Sequence, residues 1–151
     1  MSLKVEDAMI RDVIAVDATS TVKEAVEIMN EHEIGCLVVI ENHRLTGILT
    51  ERDILKRVLA ATKDPKKTKV GEIMTTRVFT VSPETDLEEA ARLMFENDVK
   101  KLPVVSEGKL VGLVTLTDLA RFQPEIIRLL RRLIGENTPK RMKKVLDYYI
   151  V

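Results

Sequence analysis

Two short T-x-x-D sequences contain the residue types that bind nucleotides: Thr50-Glu51-Arg52-Asp53 and Thr115-Leu116-Thr117-Asp118. Each follows an apolar stretch and opens a helical pattern, so each is predicted to lie where a strand ends and a helix begins. Phosphate is favoured there by free backbone amides and the helix dipole, and a threonine hydroxyl can donate to it. An aspartate one turn into the helix can accept two hydrogen bonds from a ribose diol.

The same sequences have a purely structural interpretation. T-x-x-D is a variant of the capping box, with Asp in place of Glu. Such a box only satisfies free backbone amides at the start of a helix. Taken alone, each motif favours capping. The presence of two copies does not decide between the interpretations, because a cap duplicates as readily as a binding site.

Basic residues are distributed unequally around the two motifs. Lys100 and Lys101 precede the strand Leu102-Pro103-Val104-Val105, whereas Gly35 and Cys36 occupy the matching positions earlier in the chain. Arg52 lies inside the first T-x-x-D. Cations beside helix N-termini would suit a polyphosphate. The alternative is that they are ordinary solvated charges, which is the commoner situation of Lys and Arg.

An internal repeat organises the chain, because residues 5–54 align with residues 70–119 at a constant offset of 65 without a gap. Fourteen positions are identical, among them Met9 with Met74, Gly47 with Gly112, and both residues of each T-x-x-D. Each copy is predicted to follow the order β-α-β-β-α. The predicted strands are 13–16, 36–41 and 44–50 in the first copy, and 78–81, 101–106 and 109–115 in the second.

Local signals set the predicted helices and boundaries. Thr21-x-x-Glu24 and Asp86-x-x-Glu89 are predicted capping boxes that open the first helix of each copy. We predict a first repeat over 1–62, a linker over 63–69, a second repeat over 70–121 and a C-terminal helical extension over 122–151. In the extension a helix is predicted to restart at Pro124 and to run to about residue 134.

The composition is that of an ordinary globular protein, with 45% hydrophobic and 32% charged residues. Lys plus Arg equals Asp plus Glu, at 24 each, so net charge gives no reason to expect nucleic-acid or membrane binding. The single cysteine, Cys36, lies in an apolar run and is predicted to be a buried thiol. A reducing cytoplasm suits these features, and no apolar run has the length of a membrane span.

The chain resembles a tandem cystathionine-β-synthase (CBS) domain pair, also called a Bateman module. The residues that carry the resemblance lie within about 3–121: Met9 with Val13-Ile14-Ala15-Val16, the strand 102–105, and the two segments 47–53 and 112–118 that end in T-x-x-D. The resemblance implies an α/β fold of two packed repeats with pseudo-twofold symmetry. It also implies that AMP, ADP, ATP or S-adenosylmethionine binds in the clefts between them.

By motif position, the resemblance assigns a role to each site residue. Asp53 and Asp118 would hold ribose hydroxyls, and Thr50 and Thr115 would contact phosphate or ribose. The remaining residues fall into an apolar set that would line the adenine slot, Ile14, Ile34, Phe79 and Val99, and a basic set that would meet phosphates, Arg52, Lys100 and Lys101. Core packing is the alternative role of the apolar set. The unequal basic residues put occupancy of both clefts in doubt.

Catalytic motifs are missing from the sequence. The two histidines, His32 and His43, fall near a helix end and in a turn, and no nucleophile–base, metal-protease or phosphate-loop motif occurs. We therefore expect no enzyme and no required cofactor or metal. We expect a regulatory module, a homodimer, that senses an adenine nucleotide and acts on a separate effector protein.

Two alternatives to nucleotide sensing stay open at this stage. One is a ligand-independent interaction or dimerisation module. The other is a nucleic-acid role for the basic C-terminal segment, although a helix packed on its own domain with a solvated basic face is favoured. The residues concerned are Arg128, Arg131, Arg132, Lys140, Arg141, Lys143 and Lys144, with an apolar stripe of Ile126, Leu130 and Leu133 and two terminal tyrosines, Tyr148 and Tyr149.

Overall fold

The computed structural model describes residues 2–132. It is a mixed α/β protein in which both predicted hairpins are found with the predicted bounds. The helices are α1 (Val5–Ala8), α2 (Val22–His32), α3 (Glu51–Ile54), α4 (Val70–Ile73), α5 (Leu87–Glu96), α6 (Leu116–Phe122) and α7 (Glu125–Arg132). The strands are β1 (Ala15–Asp17), β2 (Cys36–Glu41), β3 (Arg44–Thr50), β4 (Lys101–Ser106) and β5 (Lys109–Thr115). Among residues 2–132, no helix has both the length and the apolar composition needed to cross a membrane.

The chain divides into two compact units. The first-repeat unit consists of Val13–Val78 with Gly108–Leu110, and the second-repeat unit contains residues 2–12, 79–107 and 111–132 of the described chain. The segment before the first repeat's strands therefore belongs to the second-repeat unit. The predicted boundaries at residues 62, 69 and 121 describe the sequence repeat, whereas the two units are defined by contacts. Those boundaries therefore remain a prediction.

In the first-repeat unit a three-stranded sheet has the order β1-β2-β3, with β1 parallel and β3 antiparallel to β2. The segment after the linker returns to this sheet, where the amides of Ile48 and Thr75 each donate to the other's carbonyl at 2.9 Å. Helix α2 covers the sheet with its apolar face, and Val22 and Ala25 are fully buried. The capping box of Thr21 and Glu24 is confirmed, with both of its hydrogen bonds at 3.1 Å.

In the second-repeat unit β4 and β5 form a two-stranded sheet. The N-terminal segment pairs with β5, because the Ile10 amide donates to the Leu113 carbonyl at 2.8 Å and the Leu113 amide donates back at 2.9 Å. Helices α5, α6 and α7 enclose a core that includes the fully buried Leu87, Leu102 and Leu119. The N-terminal segment thus pairs with β5 as the segment around Thr75 pairs with β3.

The predicted strand over 78–81 is wrong. Only Val81 pairs with β4 in the described chain, through a bridge to Val104. The Val81 amide donates to the Pro103 carbonyl, but Pro103 has no amide with which to continue the ladder. Valine occupies the matching position, 38, in the first repeat, and there β1 forms over Ala15–Asp17.

Helix α3 also departs from the prediction, because it passes directly into a π-helix over Leu55–Leu59. Leu55 and Leu59, the first and last residues of the π-helix, are exposed, at 57% and 71%. The Arg57 guanidinium from the same turn donates to the carbonyls of Ile73 and Met74 at 2.9 and 3.0 Å. These bonds satisfy carbonyls at the end of α4, where a cation also complements the helix dipole.

The second predicted capping box, Asp86 with Glu89, does not form. Asp86 is the N-cap of α5, but its side chain accepts hydrogen bonds from Lys4 Nζ and Ser2 Oγ instead of from the helix. The hydrogen bond from Lys4, then that from Ser2, then the charge of Lys4 hold the pKa of Asp86 below its usual value of 3.8. The Asp86 carboxylate therefore holds Ser2 and Lys4 of the N-terminal segment against the start of α5.

Replacing Lys4 by Met is expected to lower the free energy of unfolding near neutral pH and to have no effect in acid. A carboxyl whose pKa is depressed in the folded state stabilises the protein above its unfolded pKa, and this stabilisation disappears as the pH falls through the folded pKa. Urea unfolding of both proteins at about pH 7 and about pH 2 measures the difference. A gap that persists undiminished in acid would contradict the ionic role of this pair.

Helix α7 begins after Pro124 as predicted, and its Ile126 and Leu130 are buried. The basic residues Arg128, Arg131 and Arg132 on the same helix are exposed. The predicted helix end near residue 134, Leu133 and the basic and tyrosine residues from Lys140 to Tyr149 lie outside the described residues.

Candidate functional site

The first T-x-x-D forms a capping box at the start of α3. The Asp53 amide donates to Thr50 Oγ1 at 3.2 Å, and the Thr50 amide donates to Asp53 Oδ2 at 3.0 Å. The other carboxylate oxygen, Oδ1, accepts the Thr75 hydroxyl at 2.9 Å and lies 3.8 Å from Arg57 Nη1. Both carboxylate oxygens therefore have partners within the first-repeat unit, and Asp53 is only 7% exposed.

The second T-x-x-D forms the same cap at the start of α6. The Asp118 amide donates to Thr115 Oγ1 and the Thr115 amide donates to Asp118 Oδ2, both at 3.1 Å. The positions that match Thr75 and Arg57 hold Ile10 and Phe122, neither of which has a side-chain donor. Within residues 2–132, Oδ2 of Asp118 is thus bonded as in the first repeat. Its Oδ1 has no counterpart of the Thr75 hydroxyl or the Arg57 guanidinium.

Backbone hydrogen bonds bring the start of the preceding hairpin strand beside each cap. The Glu51 amide donates to the Gly35 carbonyl at 3.0 Å, and the Leu116 amide donates to the Lys100 carbonyl at 2.9 Å. Ile34 therefore lies next to the first cap, and Val99 lies next to the second. Each helix has fewer than eight residues, and its first and third amides already have protein acceptors. These amides are therefore already hydrogen-bonded within the protein.

The four predicted adenine-slot residues are all half-buried and pack against the core of their own unit. Ile14 and Ile34 do so in the first-repeat unit, and Phe79 and Val99 in the second-repeat unit. Ile14 directly precedes β1, whose Ala15 pairs with Val38 of β2. Core packing and an accessible apolar surface are thus combined in the same side chains.

Charge distinguishes the two caps. In the first, the Glu51 carboxylate lies over Gly35, so that a β-carbon at position 35 would be 3.0 Å from Glu51 Oε1. In the second, Leu116 replaces Glu51 and is buried, while Lys100 is exposed and Lys101 half-buried. Arg52 is exposed on α3. The second cap therefore combines two lysines with Asp118, the aspartate with fewer hydrogen-bond partners. In the first cap, the acidic Glu51 is the neighbour in sequence of Arg52.

Sequence reasoning missed Thr75 and Glu51, which account for most of the difference between the caps. Both lie at repeat positions where the copies differ, Thr75 against Ile10 and Glu51 against Leu116. These differences were the available signal. Cys36 is buried as predicted. Among the described residues, no group of three or more His, Cys, Asp or Glu side chains is placed to hold a metal ion.

The sequence model of the CBS domain matches this chain twice, over residues 5–60 and 70–125. The chain belongs to the CBS domain family. It is 39% identical over 116 residues to the CBS domain-containing protein YhcV of Bacillus subtilis, which covers 77% of this chain and 82% of YhcV. It is also 38% identical over 120 residues to inosine-5'-monophosphate dehydrogenase of Methanocaldococcus jannaschii, covering 78% of this chain but only 23% of that enzyme.

A solved structure of the same architecture contains ligands. The CBS domain pair of protein MJ0100, in complex with 5'-methylthioadenosine and S-adenosyl-L-methionine, matches with a TM-score of 0.73 and 29% identity. The match covers 81% of this chain and 96% of that one. The fold of this chain is thus that of a CBS domain pair.

Proposed function

We propose that this chain is a regulatory module that binds an adenosine-containing ligand and passes the change to a separate effector protein. The second-repeat residues Asp118, Thr115, Lys100 and Lys101, with the apolar Phe79 and Val99, form the principal binding set. The observation that carries the proposal is the buried Asp118, whose Oδ1 has, among residues 2–132, neither the hydroxyl nor the guanidinium that lie beside Oδ1 of Asp53 in the first repeat. A ribose diol supplies the donors that this oxygen can accept.

The matching first-repeat set, Asp53, Thr50, Arg52, Ile14 and Ile34, is the weaker one in this proposal. A ligand hydroxyl would have to displace the Thr75 hydroxyl from Asp53, and Glu51 would oppose a phosphate. Binding there would therefore exchange one hydrogen bond for another with little net gain. We accordingly propose one principal ligand per chain.

Calorimetric titration of the purified chain with AMP, ADP, ATP, S-adenosylmethionine and adenosine tests the function. We expect saturable binding of at least one of them near one equivalent per chain, with GTP as the control that does not bind. Absence of binding by all five would overturn the proposal. Turnover of any of them would instead indicate an enzyme.

Signal transfer requires the ligand to bind one arrangement of the module better than another, since only differential affinity shifts a conformational equilibrium. The proposal also includes a homodimer and a cytoplasmic location. Multi-angle light scattering with and without the ligand measures the assembly, and a monomer in both conditions would remove the dimer from the proposal.

Replacing Lys101 by Ala is expected to weaken ATP and ADP binding by about tenfold and adenosine binding by less than about twofold. A lysine–phosphate hydrogen bond is charge-assisted, and about 1.4 kcal/mol corresponds to a factor of ten. Lys109→Ala is the matched control, because Lys109 is an exposed lysine on the other strand of the hairpin. Equal losses for all three ligands would contradict a phosphate role for Lys101.

A further inference from the structure

The chain is neutral as a whole, but its charge is unevenly distributed. Residues 121–151 hold eight lysines and arginines and three acidic residues, whereas residues 1–120 hold 16 basic and 21 acidic residues. The described part of this basic region, 121–132, contains the end of α6 and the whole of α7. Because salt screens charges beyond about 8 Å, a local excess of positive charge attracts anions even where the net charge is zero.

Four exposed arginines form what we call the arginine face: Arg121 at the end of α6, and Arg128, Arg131 and Arg132 on α7. The ion pairs found among residues 2–132 all lie elsewhere and involve none of these side chains. Spacings of i, i+3 and i+4 place the three arginines of α7 on adjoining turns, where like charges repel. Glu125 is the sole acidic residue in the sequence 121–132. A bound anion would relieve this repulsion.

The opposite side of α7 is already used in the core. Ile126, Ile127 and Leu130 are buried, at 1%, 6% and 0% exposure, and pack within the second-repeat unit. A helix that lies on a membrane surface must bury its apolar face in the lipid, so α7 cannot do this without leaving its own unit. A lipid surface is therefore a poor partner for the arginine face.

The arginine face also lacks the apolar centre of a typical protein–protein interface. Phe122, 49% exposed, is the one exposed large hydrophobic residue between 121 and 132. A partner must therefore be held mainly through charge, with one aromatic ring available beside the charges. These features favour a polyanion over a folded protein.

The residue types indicate which polyanion fits. All four cations are arginines, whose planar guanidinium binds phosphate through two parallel hydrogen bonds and also stacks on flat rings. Phe122 follows Arg121 directly and offers a ring on which an unpaired base can stack. Single-stranded nucleic acid supplies both phosphates and unpaired bases, whereas the bases of a duplex are stacked on one another.

We infer that the arginine face, with Phe122 beside it, binds single-stranded nucleic acid without sequence preference. Guanidiniums hold the phosphates and the phenylalanine ring stacks on a base, which is the usual division of roles in such binding. The inference does not rest on the proposed function, because none of these five residues belongs to the proposed ligand set.

Fluorescence anisotropy of the full chain with labelled oligouridylate and oligothymidylate of about 20 nucleotides tests the inference without added adenosine ligand. We expect saturable binding that weakens as salt rises from about 50 to about 200 mM. The slope of log affinity against log salt should be about −2 to −3, since each neutralised phosphate of a single strand contributes about −0.7. A duplex of equal length should bind at least about threefold more weakly, because its bases cannot stack on Phe122.

Two charge-matched double variants locate the binding. Arg128→Glu with Arg132→Glu is expected to weaken the single strands by at least about 30-fold at low salt. Lys66→Glu with Lys67→Glu changes the net charge equally, at two exposed linker residues of the first-repeat unit, and should cost less than about threefold. Circular dichroism checks the fold. If the arginine reversal does not fold, Arg128→Gln with Arg132→Gln replaces it, with an expected loss of about tenfold.

Phe122→Ala separates base stacking from phosphate binding. We expect it to weaken both oligonucleotides by about tenfold and inorganic polyphosphate by less than about twofold, because polyphosphate has no base. Lys101→Ala, in the proposed ligand set, should change oligonucleotide affinity less than about twofold.

Several results would overturn the inference. They are no saturable binding of either single strand at low salt, equal losses in the two double variants, and binding of the duplex as tight as that of the single strands. Polyphosphate binding with no effect of Phe122→Ala on the oligonucleotides would identify an inorganic polyanion as the occupant instead. Adhesion to vesicles of anionic phospholipid, without oligonucleotide binding, would identify a membrane. Failure to bind any adenosine ligand would leave these outcomes unchanged, so the two proposals fail separately.

Discussion

Asp118→Asn is expected to weaken binding of the adenosine-containing ligand by about 10- to 100-fold. Hydrogen bonds to a charged group contribute about 1.5–3 kcal/mol, and the asparagine amide replaces one accepting oxygen by a donor. The fold should tolerate the change, since the remaining amide oxygen can still accept from the Thr115 amide as Asp118 Oδ2 does. We expect the free energy of unfolding to fall by no more than about 1 kcal/mol, the usual contribution of a negative charge in the first helical turn.

Asp53→Asn is the matched control and should show the opposite pattern. Its Oδ1 accepts the Thr75 hydroxyl and faces Arg57, so the variant loses a charge-assisted bond inside the protein. We expect a stability loss of about 1–2 kcal/mol and less than about threefold change in ligand affinity. Arg57 contributes little to this loss, because its side chain is 50% exposed and 3.8 Å away.

Calorimetry for affinity and urea unfolding for stability, applied to both variants, separate a binding role from a capping role. If Asp118→Asn leaves affinity unchanged and lowers stability only as Asp53→Asn does, both aspartates serve solely as caps. If both variants lose affinity equally, the asymmetry between the repeats has no functional consequence. Asp118→Asn alone losing affinity is the result that the structure favours.

Local signals in the sequence were sufficient for the hairpins and the helix starts. The polar turns Glu41-Asn42-His43 and Glu107-Gly108 interrupt apolar runs, and β2 to β5 have the bounds that this punctuation predicted. Thr50 and Thr115 are N-caps as predicted, because a capping box depends only on residues three positions apart. Such features can be predicted because their partners lie within one turn of the chain.

Long-range partners could not be predicted in the same way. The predicted capping box of Asp86 is wrong, and Oδ1 of this carboxylate instead accepts from Lys4 and Ser2, which are distant in sequence. The Thr75 hydroxyl reaches Asp53 because the segment after the linker pairs with β3, and no local sequence pattern predicts that pairing. The two T-x-x-D motifs have identical Thr and Asp residues, but the hydrogen bonding of their carboxylates differs. Thr75 donates to Asp53, whereas Ile10, at the matching position, has no side-chain donor for Asp118.

Gly47→Ala is expected to lower the free energy of unfolding by about 1–3 kcal/mol, the usual cost of forcing an extra methyl into a packed interior. A β-carbon at position 47 would lie 2.6 Å from Met74 Sδ and 2.8 Å from the Thr75 carbonyl oxygen. The methionine side chain can rotate away, but the carbonyl is held by pairing with Ile48. The identical glycine in both repeats is thus explained by the close approach of a returning segment.

Gly112→Ala should be destabilising for the same reason but by less, since the nearest backbone atom, the Ile10 carbonyl oxygen, would be 3.0 Å from the new β-carbon. Gly71→Ala is the control: its nearest contact is 3.2 Å and alanine favours the helical conformation of α4, so its stability should stay within about 1 kcal/mol of the wild type. Urea unfolding ranks the three variants. A double variant, Gly47→Ala with Met74→Ala, relieves the sulfur contact alone. If it restores full stability, the methionine and not the paired backbone sets the requirement for glycine.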